Sequence, residues 1–224
     1  MKKLSLLFTK DGLQWHISKG KTVLEEAFHF VTEETSPHLV EEKLDDVLKF
    51  DDYKEIEVIS ALNHFSLTPD SFTEHELGYK LISYNAPVDE ANEELMLSVN
   101  KKFAVQFYYT FPKHFYQKIK AKKLPTKFNF SGEKFLNALT VKNHKEIHIN
   151  LYHHQVEFFA FENKKVVLYN NLDADSEVDF LYFIMFSLSK INFGTAETHF
   201  HIYGETHENE TFISELRKFV KNIK

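Results

Sequence analysis

The chain contains no cysteine, which excludes disulfide bonds and thiolate metal sites. Its single arginine is Arg217, so the planar side chain that normally clamps phosphate or carboxylate groups is almost missing. The longest apolar run, residues 180–186, is too short to span a bilayer. Lys2 and Lys3 lead into an alternating pattern and not into a continuous apolar run. We therefore expect no signal peptide, no transmembrane segment and a cytoplasmic location.

The net charge and the composition of the chain further narrow the class of protein. The net charge of −6 at pH 7 argues against a dedicated nucleic-acid binder. A length of 224 residues with 43% hydrophobic residues is enough for one large domain or two small ones, each with a real core. The 23 phenylalanines indicate that this core is rich in aromatic rings.

The N-terminal pattern recurs in the second part of the chain. Residues 4–23 align without a gap on residues 147–166, so that Leu4 matches Ile147 and Trp15 matches Phe158. Apolar and polar residues alternate in both copies, which is typical of strands with one buried face. Each copy also contains two turn signals. The repeat therefore predicts a three-stranded meander at the start of each half.

The match continues beyond the meanders. In each half we predict a helix, a strand and a second helix. In the first half these lie at residues 36–50, 55–61 and 69–84. In the second half the first helix begins at Ser176, the strand lies at 198–203 and the second helix at 208–223. Ser176 can cap its helix. The predicted fold class is α/β, with mixed sheets and a duplicated two-lobe arrangement. We assign residues 1–145 to the first half, with an inserted or extended segment near 85–130, and residues 146–224 to the second.

The segment 180–188 is apolar on every side of a helix. Such a helix is usually buried all round, so we expect it to lie between the two halves. The alternative is a dimer interface, and we expect a monomer or a weak homodimer.

Three stretches carry a family resemblance: residues 63–69 (Asn-His-Phe-Ser-Leu-Thr-Pro), 171–183 and 201–205 (His-Ile-Tyr-Gly-Glu). Together with the duplicated meanders, they resemble an uncharacterised bacterial family, domain of unknown function 3822. The arrangement is similar to the actin, sugar-kinase and heat-shock ATPase superfold, which is RNase H-like. The resemblance implies an actin-like two-lobe fold, and no activity or functional residue is carried over with it.

Active members of that superfold need an aspartate and a glycine in the first hairpin of both halves, because backbone amides must approach phosphates and a carboxylate must help hold Mg²⁺. The first hairpin has Asp11 and Gly12, but adjacent to each other, as in an ordinary turn. The second has Tyr-His-His-Gln at residues 152–155, without acid or glycine. Of the glycine pair expected on the adenosine side, only Gly204 is present. We expect no catalytic residues, no cofactor and no ATP hydrolysis.

Two histidine pairs are candidate metal ligands. His199 and His201 lie on one face of a strand, close enough to chelate a metal ion. They are equally the polar half of an amphipathic strand, and no third ligand is evident. His153 and His154 are adjacent, so their side chains point to opposite faces of an extended chain. We expect no metal site.

A basic segment near the middle of the chain is the candidate partner-binding surface. It contains six lysines and no acid, namely Lys113, Lys118, Lys120, Lys122, Lys123 and Lys127. An amphipathic basic helix can meet an anionic lipid surface, RNA or an acidic partner. The alternative is a solvated helix face whose positive charge offsets part of the negative charge of the protein.

The function hypothesis is a degenerate, non-catalytic actin-like protein. It would bind an unknown protein partner or act as a scaffold, through a cleft or through residues 85–130. One alternative is an ATP-binding phosphotransferase or ATPase with an unorthodox site. Another is a binder of anionic surfaces through residues 113–127.

Overall fold

The computed structural model describes residues 1–32, 35–36, 38–152, 155–174, 176–207 and 209–223. The chain divides into two compact units, Met1–Lys134 and Phe135–Lys224. The assignment of residues 1–145 and 146–224 to separate halves stays a prediction. No helix in the described ranges combines the length and the apolar character that crossing a membrane requires.

Unit 1 is built on a five-stranded sheet. Its strands are β1 (Lys2–Thr9), β2 (Gly12–Lys19), β3 (Thr22–Phe30), β4 (Glu55–Ser60) and β8 (Thr126–Phe130). Two helices of the same unit are α1 (Leu39–Leu48), which precedes β4, and α3 (Lys113–Ala121), which precedes β8. The strand order is β3-β2-β1-β4-β8. Strands β1 to β3 form an antiparallel meander, β4 pairs with β1 in parallel, and β8 pairs with β4 in parallel.

A second sheet of unit 1 lies in the chain between β4 and β8. It is antiparallel and comprises β5 (Phe65–Pro69), β6 (Glu93–Asn100) and β7 (Val105–Pro112), in the order β5-β7-β6. A 3₁₀ turn (His75–Leu77) and α2 (Gly78–Ser83) connect β5 to β6, so the helix predicted at residues 69–84 is much shorter than expected. Pro69 instead ends β5, where it pairs with Val105.

Unit 2 repeats the strand order of the first sheet. Helix α4 (Ser131–Ala138) spans the boundary between the units. The elements that follow are β9 (Glu146–Tyr152), β10 (Gln155–Glu162), β11 (Lys165–Asp173), α5 (Glu177–Lys190), β12 (His199–Gly204), α6 (Glu210–Arg217) and β13 (Asn222–Ile223). The strands form one sheet in the order β11-β10-β9-β12-β13.

The register of the sheets matches the sequence alignment of the two copies. Leu4 of β1 pairs with Ile56 of the parallel strand β4, and Ile147 of β9 pairs with Phe200 of β12. All four side chains are buried, because alternate residues of each strand face the core. The predicted α/β fold class, with a meander opening each of two mixed sheets, is confirmed.

Helix α5 differs from its prediction. Ser176 caps it as expected, accepting a hydrogen bond from the backbone N–H of Asp179 at 3.2 Å. However, the helix is not buried on every side, since Tyr182 is 59% exposed and Phe186 47% exposed. One face suffices for the core because its buried residues recur every four positions, at Phe180, Ile184 and Leu188.

The end of the chain also departs from the prediction of one helix over residues 208–223. Helix α6 ends at Arg217, and Asn222 and Ile223 pair as β13 with the edge of β12. The side chain of Asn222 donates to the carbonyl oxygen of Ala196 at 3.0 Å. The strand satisfies backbone groups of β12 that a longer helix would leave unpaired.

Candidate functional site

The first candidate for phosphate binding is the turn between β1 and β2. Thr9 closes this turn, accepting from the Asp11 N–H at 3.2 Å and donating to the Gly12 carbonyl at 3.4 Å. Gly12 has φ of 143°, and a Cβ there would lie 1.9 Å from the carbonyl oxygen of His29. The glycine is thus required by the close approach of β3, without any phosphate.

The corresponding turn of unit 2 follows Tyr152, which pairs with the buried Gln155. His153 and His154 lie outside the described residues. Gly204 has φ of 81°, and a Cβ would lie 2.2 Å from the carbonyl oxygen of Leu151. Both glycines considered for nucleotide binding therefore have a role within their own sheets.

The lysine segment is divided between internal and outward positions. Lys118 of α3 donates to Asp45 at 2.7 Å and lies 2.9 Å from a carboxylate oxygen of Glu41, both on α1. Lys122 pairs with Asp51 at 3.0 Å. These two lysines join α3 to α1 and the residues that follow α1.

Lys113 also contacts its own unit, donating to the carbonyl oxygens of Glu90 at 2.7 Å and Ala91 at 3.0 Å. The remaining three predicted residues are exposed but spread over the end of α3, the following loop and β8: Lys120, Lys123 and Lys127. The structure therefore does not gather the six lysines on one outward face.

An apolar groove lies on α5, the helix for which the sequence left a dimer interface as the alternative to burial. Val178, Tyr182 and Phe186 are 75%, 59% and 47% exposed and follow one another every four residues. The rings of Tyr182 and Phe186 stack with centroids 5.8 Å apart. Such a stripe is about 12 Å long at the rise of an α-helix.

The groove has a volume of about 330 Å³. Leu181 and Met185 lie beside the exposed stripe, and Glu177 of α5 and Glu215 of α6 complete the lining. At the other end of the helix, the ammonium group of Lys190 lies 5.0 Å from the centroid of the Phe186 ring. The groove is therefore apolar apart from Glu177 and Glu215, the latter paired with Lys218, while Phe186 and Lys190 lie beyond its lining.

A polar cluster is enclosed on the opposite face of β9 from the α5 core. Glu146 and His148 are fully buried, while the side chain of His201 on β12 is 19% exposed. The Glu146 carboxylate lies 3.4 Å from Nε2 of His148 and 3.5 Å from Nε2 of His201. The imidazole rings of these two histidines stack, with centroids 4.6 Å apart.

Hydrogen bonds orient the cluster. The backbone N–H of Lys142 donates to Oε2 of Glu146 at 2.9 Å, and Nδ1 of His148 lies 3.0 Å from the hydroxyl of Tyr203. Nε2 of His144 lies 3.0 Å from Oε1 of Glu146. The same carboxylate is thus approached by three imidazoles.

The enclosure sets the protonation of the cluster. Burial, followed by the charge of the neighbouring His201, lowers the pKa of His148 to about 4 against the opposing attraction of Glu146. Burial alone would raise the pKa of Glu146, but the bonds from Lys142 and His148 hold it below its ordinary value. The arrangement is a carboxylate beside a neutral imidazole, a donor set that can hold a cation.

Sequence reasoning noted one member of this cluster and missed two. His199, its expected companion, packs instead against His144, with ring centroids 4.2 Å apart and the rings tilted by 47°. The partners of His201 are on β9, because β12 pairs with β9 in parallel and sets His201 opposite His148. The available signal was the alternation of Glu146 and His148 around Ile147, which puts both polar side chains on one face.

The two repeated sheets with their helices define an actin-like α/β protein. A Bacteroides thetaiotaomicron protein with an actin-like ATPase fold and unknown function has a TM-score of 0.82 to this chain. It is 21% identical, and the match covers 99% of this chain and 89% of that one. The chain belongs to the family described as protein of unknown function, DUF3822, whose profile matches residues 1–223.

Two further structures share the fold at lower identity. The PilM–PilN type IV pilus biogenesis complex gives a TM-score of 0.60 at 9% identity, covering 99% of this chain and 87% of that chain. The cytoplasmic domain of EpsL, an inner-membrane component of the Vibrio cholerae type II secretion system, gives 0.56 at 7% identity, covering 100% and 85%. No curated protein matches the chain. These identities establish the fold alone.

Proposed function

We propose that this protein is a non-catalytic actin-like module that binds a partner protein through the α5 groove. The observation that carries the proposal is the exposed stacked pair of Tyr182 and Phe186 above an apolar groove. Exposed aromatic side chains in an apolar setting are frequent energetic centres of protein interfaces. One structure that shares this fold is the PilM–PilN type IV pilus biogenesis complex, which supports a partner-binding role.

The shape and charge of the groove define the occupant. A stripe of about two helical turns fits the apolar face of one amphipathic helix. Glu177 favours a basic residue where that helix meets the start of α5, and Lys190, which lies on α5 beyond the groove, favours an acidic residue towards the end of α5. The partner is therefore a protein segment with an apolar face, basic at one end and acidic at the other.

The absence of catalysis is the second part of the proposal. Gly12 and Gly204 each avoid a backbone collision within their own unit, which accounts for both without nucleotide. The second hairpin has neither acid nor glycine at residues 152–155. Thermal unfolding with increasing Mg-ATP tests this, because a ligand of the native state raises its stability by mass action. We expect no shift at millimolar nucleotide, and a saturating, magnesium-dependent shift would favour the phosphotransferase alternative.

Site-specific photo-crosslinking tests the groove. A photoreactive amino acid replaces Tyr182 in the full chain, expressed in cells of the organism that produces the protein. The matched control places it at Tyr84, an aromatic residue of unit 1 that is 72% exposed. We expect a protein adduct from position 182 alone, mapped by mass spectrometry to an amphipathic helical segment with the stated charges.

The segment is then synthesised, and its binding to the purified chain is measured by fluorescence anisotropy. We expect the pair Tyr182→Ser and Phe186→Ser to weaken binding by about a hundredfold, since truncating two aromatic anchors costs about 3 kcal/mol. Glu177→Lys weakens it less and reduces its salt dependence, while Tyr84→Ser leaves it unchanged. Adducts between two copies of this chain, with a dimer in light scattering, would identify a second copy as the occupant and overturn the proposal.

A further inference from the structure

The polar cluster on β9 and β12 is distinct from the α5 groove and is not used by the proposed function. Its three donor side chains come from two adjacent parallel strands, with Glu146 and His148 on β9 and His201 on β12. Strands of one sheet hold side chains more rigidly than loops do, which favours a defined coordination geometry.

We propose that Glu146, His148 and His201 form a binding site for one divalent transition-metal cation of the Zn²⁺ type. One ligand atom from each of the three residues lies within 4.8 Å of the others. Two imidazoles with one carboxylate are a donor set that suits zinc and related cations.

The spacing of the donor atoms favours tetrahedral coordination. Metal–ligand bonds of about 2.0–2.2 Å place the ligand atoms of a tetrahedron about 3.3–3.6 Å apart. The observed separations are of this size, 3.4 Å from Oε2 of Glu146 to Nε2 of His148 and 3.5 Å from Oε1 of Glu146 to Nε2 of His201, so the two imidazoles face the two oxygens of one carboxylate. Because a donor set spaced in this way needs little movement to close on an ion, the cluster is largely preorganised. Closing on one ion requires the Glu146 carboxylate to turn towards both nitrogens and the partly exposed His201 ring to rotate out of its stack on His148.

The surroundings supply the contacts that orient metal ligands. Tyr203 lies 3.0 Å from Nδ1 of His148, so Nε2 of that ring is the nitrogen facing the carboxylate. The Lys142 N–H bond fixes one oxygen of Glu146. Outer contacts of this kind hold the ring orientation of metal-binding histidines. His144 also contacts this carboxylate, with its Nε2 3.0 Å from Oε1 of Glu146, and its side chain is 35% exposed.

Metal titration of the full chain tests the site. The protein is treated with a chelator, dialysed and titrated with Zn²⁺ by calorimetry, and in parallel with Co²⁺ while visible absorption is recorded. We expect one saturable site and the intense absorption of tetrahedral Co²⁺, displaced by Zn²⁺. His201→Gln is expected to weaken binding at least about tenfold, as even loss of an outer contact has an effect of this size.

His199→Gln is the matched control, because this histidine is on the same strand but outside the three-residue cluster. We expect it to bind Zn²⁺ like the wild type. The Co²⁺ spectrum is recorded on the wild-type chain and so is decisive even where a variant folds poorly. Weak, non-saturating binding with an octahedral spectrum, or unchanged affinity in folded His201→Gln, would overturn the proposal and identify the cluster as a buried ion-pair network only.

Discussion

Gly204 approaches the strand β9 so closely that a Cβ atom would lie 2.2 Å from the carbonyl oxygen of Leu151. It also has φ of 81°, a backbone conformation that residues other than glycine rarely adopt. We predict that Gly204→Ala lowers the free energy of unfolding by about 2–4 kcal/mol, from backbone strain and displacement of the strand. Urea denaturation followed by circular dichroism measures the loss.

Gly194→Ala is the control for this prediction within the same unit. Its nearest neighbours would be side-chain atoms of Glu197 at 3.6 Å, an ordinary contact distance. We expect a change within about 0.5 kcal/mol. Equal effects of the two substitutions would contradict the role assigned to Gly204 and reopen its assignment as a remnant of a nucleotide site.

Two aromatic residues of α5 test the one-sided burial of that helix. Phe180 is fully buried and stacks on Phe212 of α6 with centroids 5.2 Å apart, whereas Tyr182 is 59% exposed. We predict that Phe180→Ala costs about 3–5 kcal/mol of stability through the cavity it leaves. Tyr182→Ser should change stability by no more than about 0.5 kcal/mol. A comparable loss from Tyr182→Ser would mean that its ring is part of the core.

The meanders were predictable from sequence because a period of two assigns each side chain to one face. The burial of Leu4 and Ile147 follows from that period alone. The outward face of α5 was not predictable in the same way. Val178, Tyr182 and Phe186 are apolar like the residues of the core, and composition does not distinguish a core face from a binding face.

The polar cluster on β9 and β12 shows a second limit of sequence reasoning. His148 and His201 are far apart in the chain, and they meet only because β12 pairs with β9 in a particular register. Local alternation places each on a face but does not give the register between strands that are not neighbours in sequence. The same holds for the end of the chain, because the strand β13 forms by pairing with the edge of β12.

Helix α3 carries both a lysine that forms ion pairs within unit 1, Lys118, and an exposed lysine, Lys120. Lys118 pairs with Asp45 and Glu41, whereas Lys120 is exposed. We predict that Lys118→Met lowers the stability of unit 1 by about 0.2–1 kcal/mol, the usual range for solvent-exposed ion pairs. Lys120→Met should have no measurable effect. The chain's single tryptophan, Trp15, lies in unit 1, so its fluorescence during urea unfolding provides the measurement. Equal losses would contradict this division of the lysine segment.

Glu57 makes the stability of unit 1 dependent on pH. Its carboxylate lies 2.8 Å from Nζ of Lys3 and 2.7 Å from Nζ of Lys134. Burial alone would raise its pKa, but the hydrogen bonds from Lys134 and Lys3 lower it to about 2 from the ordinary 4.5. Because the pKa is lower in the folded state, the stabilisation is present above pH 4.5 and is lost as the pH falls towards 2.

We predict that Glu57→Gln costs about 1–2 kcal/mol at neutral pH, the pKa shift being discounted for solvent screening and desolvation. The difference from wild type should shrink as the pH is lowered below 4.5, because protonation removes the same charge from the wild-type carboxylate. Urea unfolding monitored by Trp15 fluorescence at several pH values measures this convergence. Glu25→Gln, at an exposed position of β3, is the control and should run parallel to wild type throughout. A constant gap between Glu57→Gln and wild type down to the acid limit would show that the loss comes from packing and not from the carboxylate charge.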